Sequence, residues 1–284
     1  MGKFSDALKK AEMSSGGQPA GLATDKSVEI GREEIEALKL DTGVPEAPDP
    51  PFRQSLGKLD SRLVSVLEPN TPVAECFKIL RAKLLFAQNC QPCKTIMVGS
   101  PQPFDGKTMV AANLAVSIAR GLDEHVLLVD CDLRSPKLHQ SFGLELHQGL
   151  REYLEDGNSL SQYLVKTPVE KLTLLPAGET PMNPSELLSS EKMRALIREL
   201  KDRYQDRYVI IDTPPVQFTP EGSVLASMVD GVLLIARSGK TSRELLLQVA
   251  NNIGRDKILG IVFNASNGSQ GDAHYYNGYY PKEN

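Results

Sequence analysis

The chain has 284 residues, of which 40% are hydrophobic and 24% charged, and its formal net charge is −4 at pH 7. This composition is that of an ordinary globular protein with enough apolar side chains for one large core or two small ones. The mildly acidic balance provides no basic surface for a polymer such as DNA or RNA, so we expect no nucleic-acid partner.

The sequence also bears on location. It has no apolar run near the roughly 20 residues that span a bilayer, and its first residues lack the apolar region of a secretory signal. We therefore expect a cytoplasmic chain that reaches a membrane only through a partner. The pair Cys90 and Cys93 has the spacing of half a zinc site, but no second pair follows it.

Residues 1–60 differ in composition from the rest and are predicted to be an N-terminal arm. An apolar stripe at Phe4, Ala7, Leu8 and Ala11 favours a short amphipathic helix. A stretch rich in glycine, proline and acidic residues follows it and is typical of a largely disordered linker. Such an arm either docks on a partner or stays disordered without one, and a stripe of four residues does not decide between the two.

From residue 61 to 264 the pattern becomes regular. Asn70 and Thr71 can cap a helix that starts at Pro72 and ends near Ala87. Helical segments then alternate with short runs rich in β-branched residues. These runs are 95–99, 126–129, 172–175, 209–211, 232–235 and 258–263. The alternation predicts one α/β domain with a mostly parallel sheet covered by helices on both faces.

The loop after the first predicted strand ends in Gly106-Lys107-Thr108 and leads into a helix. This is the end of a phosphate-binding loop, in which the lysine neutralises the β- and γ-phosphates of a nucleotide and the hydroxyl binds Mg²⁺. The match is imperfect, because Pro101 replaces the first glycine of the motif and Phe104 occupies a position often held by glycine. By itself it could be a chance match or a decayed site.

Carboxylates follow two later strands. Asp130 and Asp132 come after 126–129, and Asp212 comes after 209–211. In an open parallel sheet, ligands bind at the carboxyl ends of the strands, so we expect these side chains to converge with Lys107. Aspartates at such positions often cap helices instead, but the combination with Gly106-Lys107-Thr108 favours nucleotide hydrolysis or phosphoryl transfer.

With these motifs the chain resembles the bacterial tyrosine kinases (BY-kinases) of capsular and exopolysaccharide synthesis. Several elements carry the resemblance, which covers about residues 60–284. They are Gly106-Lys107-Thr108, Asp130-x-Asp132-x-Arg134, Asp212-x-x-Pro215, Pro176-Ala177-Gly178, Asn183-Pro184-Ser185-Glu186-Leu187-Leu188 and Arg237-Ser238-Gly239-Lys240-Thr241. The implied fold is that of P-loop NTPases, and the implied activity is ATP-dependent phosphorylation of protein tyrosines.

The resemblance implies roles for individual residues. The catalytic residues would be Lys107, Asp130, Asp132 and Asp212, and Asp130 is the expected base for the tyrosine hydroxyl. ATP would contact Pro103, Phe104, Asp105, Gly106, Lys107, Thr108 and Met109, with Asn264 as a further contact of the base. Mg²⁺ would be held by Thr108, Asp130 and Asp212.

The family's oligomerisation motif, Glu-x-x-Arg-x-x-Arg, is similar to Glu75, Lys78 and Arg81 on the helix after Pro72. Lysine keeps the charge of the arginine it replaces but loses the forked geometry. The resemblance implies a ring-shaped homo-oligomer; the alternative is that the same charges form a solvated helix face. It also implies a membrane partner, an adaptor that regulates polysaccharide chain length and stimulates the kinase with its cytoplasmic tail.

The last segment, 265–284, is predicted to be a mobile tail. Four of the eight tyrosines of the chain lie in it, at Tyr275, Tyr276, Tyr279 and Tyr280, after a run of small polar residues that cannot build a core. Terminal tyrosines often dock on their own domain, but the resemblance makes these four the phosphoacceptors. From Ala265 the extended chain reaches Tyr276 over at most ~40 Å, so phosphorylation between neighbouring subunits is possible.

Two alternatives remain open at the level of the sequence. One is an ATPase switch of the partitioning or septum-placing type, which has the same fold but carries a signature lysine where this chain has Gln102. The other is a catalytically weak nucleotide-binding adaptor, for which Pro101 and Phe104 would mark a relaxed loop.

Overall fold

The computed structural model of the chain describes residues 58–86, 93–145, 148–203, 207–217 and 219–266. The predicted N-terminal helix, Cys90 and the tyrosine cluster lie outside the described residues. Within the described ranges, no helix combines the length and the apolar character needed to cross a membrane. The proposed boundaries of arm, domain and tail stay predictions.

Helices and strands alternate along the described chain, as the sequence predicts. The helices are α1 (Val64–Leu67), α2 (Pro72–Phe86), α3 (Lys107–Ala119), α4 (Leu138–Ser141), α5 (Leu150–Asp156), α6 (Pro184–Ser189), α7 (Glu191–Arg203), α8 (Pro220–Met228) and α9 (Arg243–Ile253). The strands are β1 (Thr95–Gly99), β2 (His125–Asp130), β3 (Val165–Lys166), β4 (Leu172–Leu175), β5 (Arg207–Asp212), β6 (Gly231–Arg237) and β7 (Ile258–Asn264). Single 3₁₀ turns occupy Leu160–Gln162 and Arg255–Lys257.

The strands form one sheet in the order β3-β4-β2-β5-β1-β6-β7. All neighbours are parallel except β3 and β4. The mostly parallel α/β fold predicted from the sequence is therefore confirmed. The sequence pattern missed β3, because two residues are too short for a periodic signal.

Apolar side chains pack against both faces of the sheet. Along β1, Ile96 and Val98 join the core on one face, whereas Met97 joins the core on the other. This follows from the two-residue period of a strand. Helix α3 covers the face of Ile96 and is buried on almost all sides, which explains its run of alanine, valine and leucine. The rigid β1–α3 unit thereby fixes the loop between them.

The register of the strands brings the predicted carboxylates to one edge. Asp130 at the end of β2 is directly opposite Asp212 at the end of β5, and Asp212 is opposite Val98 of β1. The loop that follows β1 thus rises beside both aspartates. This arrangement needs the parallel order β2-β5-β1, which places three carboxyl ends side by side.

Candidate active site

The loop between β1 and α3 is closed by its own hydrogen bonds. Ser100 donates through Oγ to the carbonyl of Gln102 at 2.9 Å, and the Gln102 amide donates to Asp105 Oδ2 at 3.3 Å. Gly106 then has φ = 96° and ends the loop, so α3 begins at Lys107. The first amides of a helix have no partner inside the helix and can bind phosphate, which suits the loop predicted from the sequence.

Gly106 is needed for space as well as for its backbone angle. A Cβ atom at this position would lie 2.0 Å from Nδ2 of Asn264. That nitrogen donates to the carbonyl of Asp105 at 2.8 Å. Asn264, at the end of β7, therefore supports the loop from the side of β6 and β7. Its expected contact with the nucleotide base stays a prediction.

Phe104 shows why glycine is common at its position. Its φ is 66°, in the left-handed region that costs a residue with a Cβ roughly 1–2 kcal/mol. The ring is 83% exposed, and the carbonyl accepts a hydrogen bond from Arg237 Nη1 at 3.0 Å. The loop thus keeps the conformation that glycine would adopt freely and carries an exposed aromatic ring.

A second loop, 237–241 after β6, clamps the phosphate-binding loop. Thr241 Oγ1 donates to Asp105 Oδ1 at 2.8 Å and accepts from the amide of Arg237 at 2.8 Å. Gln102 Nε2 reaches the carbonyl of Lys240 at 3.4 Å. The resemblance drew attention to 237–241, but spacing along the sequence did not assign Thr241 a contact with the site.

Lys107 and Asp132 form the central ion pair of the site. Lys107 Nζ donates to Asp132 Oδ2 at 3.0 Å, and both side chains are largely buried. Burial lowers the pKa of Lys107, but the charges of Asp212 and Asp132 outweigh it and the net shift is upward. The lysine is therefore held as a cation where phosphate charge would arrive.

Asp130 and Asp212 lie deeper than Asp132. Asp130 is fully buried, and its two carboxylate oxygens accept hydrogen bonds from the amides of Asp132 and Leu138 at 3.0 and 3.2 Å. The Thr108 hydroxyl lies close enough to Asp212 to lower the pKa of that carboxyl in part. Burial, the largest cause, raises the pKa of both carboxyls. The negative charges of Asp212 and Asp132 raise the pKa of Asp130 further.

One oxygen of this group has no hydrogen-bond partner in the part of the chain that the structure describes. Oδ1 of Asp212 is buried and makes no hydrogen bond to any described residue. A buried, unsatisfied carboxylate oxygen is costly and calls for an ion or a water molecule. The oxygen atoms of Thr108, Asp130 and Asp212 are hard donors of the type that Mg²⁺ prefers, so this donor set fits the ion.

Arg134 belongs to a network that sequence reasoning did not find. Its Nε and Nη2 donate to Oε1 of Glu221 at 3.0 and 2.8 Å, and the Ser185 hydroxyl donates to the same oxygen at 2.8 Å. Burial opposes ionisation of Glu221, but these bonds and its own amide hold its pKa below the usual value. Glu221 is fully buried although it follows a proline at the start of α8, and no local pattern signals that burial.

The ion pair of Lys107 and Asp132 lies in the wall of a cavity of about 500 Å³. Pro103, Phe104, Gly106, Lys107, Thr108 and Met109 line it on one side, and Asp132, Arg134 and Ser135 line it on another. Pro214 and Pro215 after β5 complete this part of the wall. The volume lies within the range of about 300–1,000 Å³ that small-molecule sites occupy.

The structure brings together most of the predicted site residues. Lys107, Thr108, Asp130, Asp132 and Asp212 meet at the carboxyl edge of the sheet, as described above. The residues of the predicted oligomer motif lie elsewhere, on α2. There Lys78 Nζ donates to Glu75 Oε1 at 3.1 Å, and Arg81 Nη1 donates to the carbonyl of Ser117 on α3 at 2.7 Å. Arg81 is thus bound within its own chain.

Comparisons with known proteins agree with this geometry. A family model described as an AAA domain matches residues 94–255. The tyrosine-protein kinase YwqD of Bacillus subtilis is 33% identical over 225 residues, which cover 78% of this chain and 92% of YwqD.

Solved structures show the same likeness. The chimerical protein CapA2B2 has a TM-score of 0.66 at 31% identity, over 76% of this chain and 94% of the other. The kinase domain of Escherichia coli tyrosine kinase ETK has a TM-score of 0.66 at 28% identity, over 76% of this chain and 88% of the other.

The septum-placing class is more distant. The septum site-determining protein MinD of Pyrococcus horikoshii is 19% identical with a TM-score of 0.53, over 66% of this chain and 77% of MinD, and shares the fold alone. By contrast, the match to the tyrosine-protein kinase YwqD covers 92% of that protein at 33% identity. The chain, with Lys107 and its three aspartates at the edge of the sheet, belongs to the bacterial tyrosine kinases.

Proposed function

We propose that the chain transfers the γ-phosphoryl group of ATP to tyrosine hydroxyls of its own C-terminal cluster, Tyr275, Tyr276, Tyr279 and Tyr280. The observation that carries the proposal is the pairing of Lys107 with Asp132 at the wall of the cavity, beside the buried Asp130 and Asp212. Phosphoryl transfer requires a cation that binds the phosphates, carboxylates that hold the metal ion and a carboxylate that accepts the proton.

The residues divide the work of the transfer. The amides at the start of α3 and the Lys107 ammonium bind the β- and γ-phosphates. Thr108, Asp130 and Asp212 are the ligands we assign to Mg²⁺, which supplies charge neutralisation on the phosphate oxygens when bound. Pro103, Phe104 and Met109 would line the phosphate path, and Asn264 would contact the base.

The tyrosine hydroxyl needs a proton acceptor. Its reference pKa is near 10, so it arrives protonated at neutral pH. As its oxygen forms a bond to the γ-phosphorus and the bond from phosphorus to ADP breaks, its proton passes to a carboxylate. We assign that role to the pair Asp130 and Asp132, with Asp130 as the base expected from the sequence and Asp132 as the carboxylate nearest Lys107.

Labelled ATP tests the proposal directly. We expect the full chain to incorporate label with Mg²⁺ present, and Lys107→Met to lower the rate about 100-fold or more, because it removes the charge that stabilises the moving phosphoryl group. Circular dichroism would verify that the variant is folded. Equal labelling of the two proteins would contradict the kinase proposal.

The acceptor assignment has its own test. Replacement of the four tail tyrosines by phenylalanine removes only hydroxyl groups, so we expect ATP binding to persist and labelling to disappear. Undiminished labelling would move the acceptors to other positions, of which Tyr153, Tyr163 and Tyr208 are examples.

We also propose that the chain acts as a homo-oligomer at the inner face of the membrane, through an adaptor that regulates polysaccharide chain length. Helix α2 supports the oligomer, because Val73, Cys76 and Ile79 recur along one exposed stripe beside Glu75 and Lys78. Each phosphotyrosine adds about −1.5 to −2 charges, so a modified tail gains roughly −6 to −8. Repulsion between such tails would loosen the oligomer.

A further inference from the structure

The cavity extends beyond the phosphate-binding loop along the first two turns of α3. Its wall includes Met109, Ala112 and Asn113, which share one face of the helix with i, i+3 and i+4 spacing. At 1.5 Å per residue, Asn113 lies about 9 Å further along the helix axis than Lys107. We call this part of the cavity the α3 lobe and define it by Leu63, Met109, Ala112, Asn113, Lys137 and Gln140.

The outer wall of the α3 lobe is held in place by hydrogen bonds. The Asp60 amide donates to the carbonyl of Ser141 at the end of α4, at 3.1 Å. Asn113 is buried, donates to the carbonyl of Arg62 at 3.0 Å and accepts from the amide of Ser65 at 2.9 Å. The segment 60–65 is therefore fastened to both α3 and α4, and the lobe is formed before a ligand arrives.

The walls of the lobe suit an aromatic ring beside a negative charge. Met109 is partly exposed and provides apolar surface for a ring, whereas Leu63 and Ala112 are buried and close the wall of the lobe. Three of the four cations on the cavity wall have a carboxylate partner: Arg62 pairs with Asp60, Lys107 with Asp132, and Arg134 with Glu221. The fourth, Lys137, is exposed and forms no ion pair with any described residue. Its charge is available to an anion.

The position of the lobe in the sheet indicates which substrate it serves. In the strand order, β2 lies on one side of β1, together with α4, which follows it in the chain. Strands β6 and β7 lie on the other side of β1. Asn264, the assigned contact of the base, ends β7. The nucleoside and the α3 lobe are therefore on opposite sides of the phosphate-binding loop, and the lobe is left for the phosphoacceptor.

We propose that the α3 lobe is a subsite for a phosphotyrosine next to the acceptor tyrosine, with Lys137 as the residue that binds its phosphate and Met109 as the contact of its ring. The inference rests on the proposed autokinase function. Because the tail carries its tyrosines in two adjacent pairs, the first phosphorylation creates the charge that Lys137 binds. Later transfers on the same tail are then faster than the first.

Two peptides test the subsite. Both cover residues 271–284 with Tyr279 as the one remaining tyrosine hydroxyl, and position 280 carries either phosphotyrosine or phenylalanine. The enzyme is the full chain with its four tail tyrosines replaced by phenylalanine, so that its own tail does not compete. We expect the KM of the phosphorylated peptide to be about tenfold lower, as a charge-assisted contact would produce.

Variants of Lys137 test whether this residue causes the difference in KM between the two peptides. Lys137→Glu should raise the KM of the phosphorylated peptide to that of the other peptide, with kcat, the KM of ATP and ATP hydrolysis unchanged. Lys137→Arg should retain the preference. Arg198→Glu is the matched control, since it makes the same change of charge at an exposed position of α7 outside the cavity wall.

The outcomes separate the two proposals. Equal KM values for the peptides would overturn the subsite while leaving the kinase intact. A rise in the KM of ATP for Lys137→Glu would place the nucleotide in the lobe and would also overturn it. If neither peptide is labelled although ATP binds, the tail is not the acceptor, and both the proposed function and the subsite are wrong.

Discussion

Two residues of the phosphate-binding loop, one on each side of Asp105, have left-handed backbone angles, and only one of them is a glycine. Gly106 has φ = 96° and no room for a Cβ, because Asn264 lies against it. Phe104 has φ = 66° but its ring is exposed, so the position is strained without being crowded. The strain is therefore specific to this chain's choice of residue and can be removed by one substitution.

Phe104→Gly should stabilise the protein. Glycine adopts the left-handed angle without a Cβ penalty, and its greater freedom in the unfolded chain offsets part of the gain. We expect the free energy of unfolding in urea to rise by about 0.5–1 kcal/mol. Phe104→Ala is the control, because it removes the ring but keeps the Cβ; an equal effect of both variants would show that strain is not the cause.

At the scale of elements, the site depends on residues at the ends of five strands that hold one another. The phosphate-binding loop after β1 is clamped by Thr241 after β6 and by Asn264 at the end of β7. Its lysine is paired with Asp132 after β2, and the Thr108 hydroxyl lowers the pKa of Asp212 at the end of β5. The loop is thus preorganised for phosphate by side chains far from it in sequence.

Thr241→Val should weaken ATP binding without unfolding the chain. It removes the hydroxyl that bridges Asp105 and the Arg237 amide, a loss of about 1 kcal/mol, which corresponds to a roughly fivefold higher Kd. Isothermal titration with ATP and Mg²⁺ would measure it. The control is Ser227→Ala, because the Ser227 hydroxyl donates to the Val224 carbonyl within α8 and to no other described residue. An unchanged Kd for Thr241→Val would mean that the clamp does not set the loop for binding.

At the scale of the whole molecule, the proposed homo-oligomer can be tested at the residues of α2. Arg81 of the predicted motif bonds the carbonyl of Ser117 in its own chain, so replacing it would disturb the fold as well as any interface. Among the described residues, Lys78 forms an ion pair only with Glu75, one turn away on the same helix. Lys78 is therefore the position at which the interface can be tested cleanly.

Lys78→Glu should reduce the oligomer to smaller species. The pair lies within one helix and is only part-buried, so it contributes about 1 kcal/mol and the melting temperature should change little. A reversed charge in an interface, by contrast, repels its partner. Light scattering coupled to size-exclusion chromatography would measure the mass. If Lys78→Glu and the surface control Arg198→Glu have the same mass as the wild type, α2 is a solvated face and not an interface.

The sequence by itself determined the alternation of strands and helices, the phosphate-binding end of the β1–α3 loop and the aspartates at the strand ends. These features are local, since each depends on the periodicity or chemistry of adjacent residues. Only the tertiary structure decided that Asp132 pairs with Lys107, that Asn264 and Thr241 hold Asp105, and that the buried Glu221 orients Arg134. Those contacts join residues distant along the chain, and the order of the strands that brings them together is set by packing of the whole sheet, which no local pattern encodes.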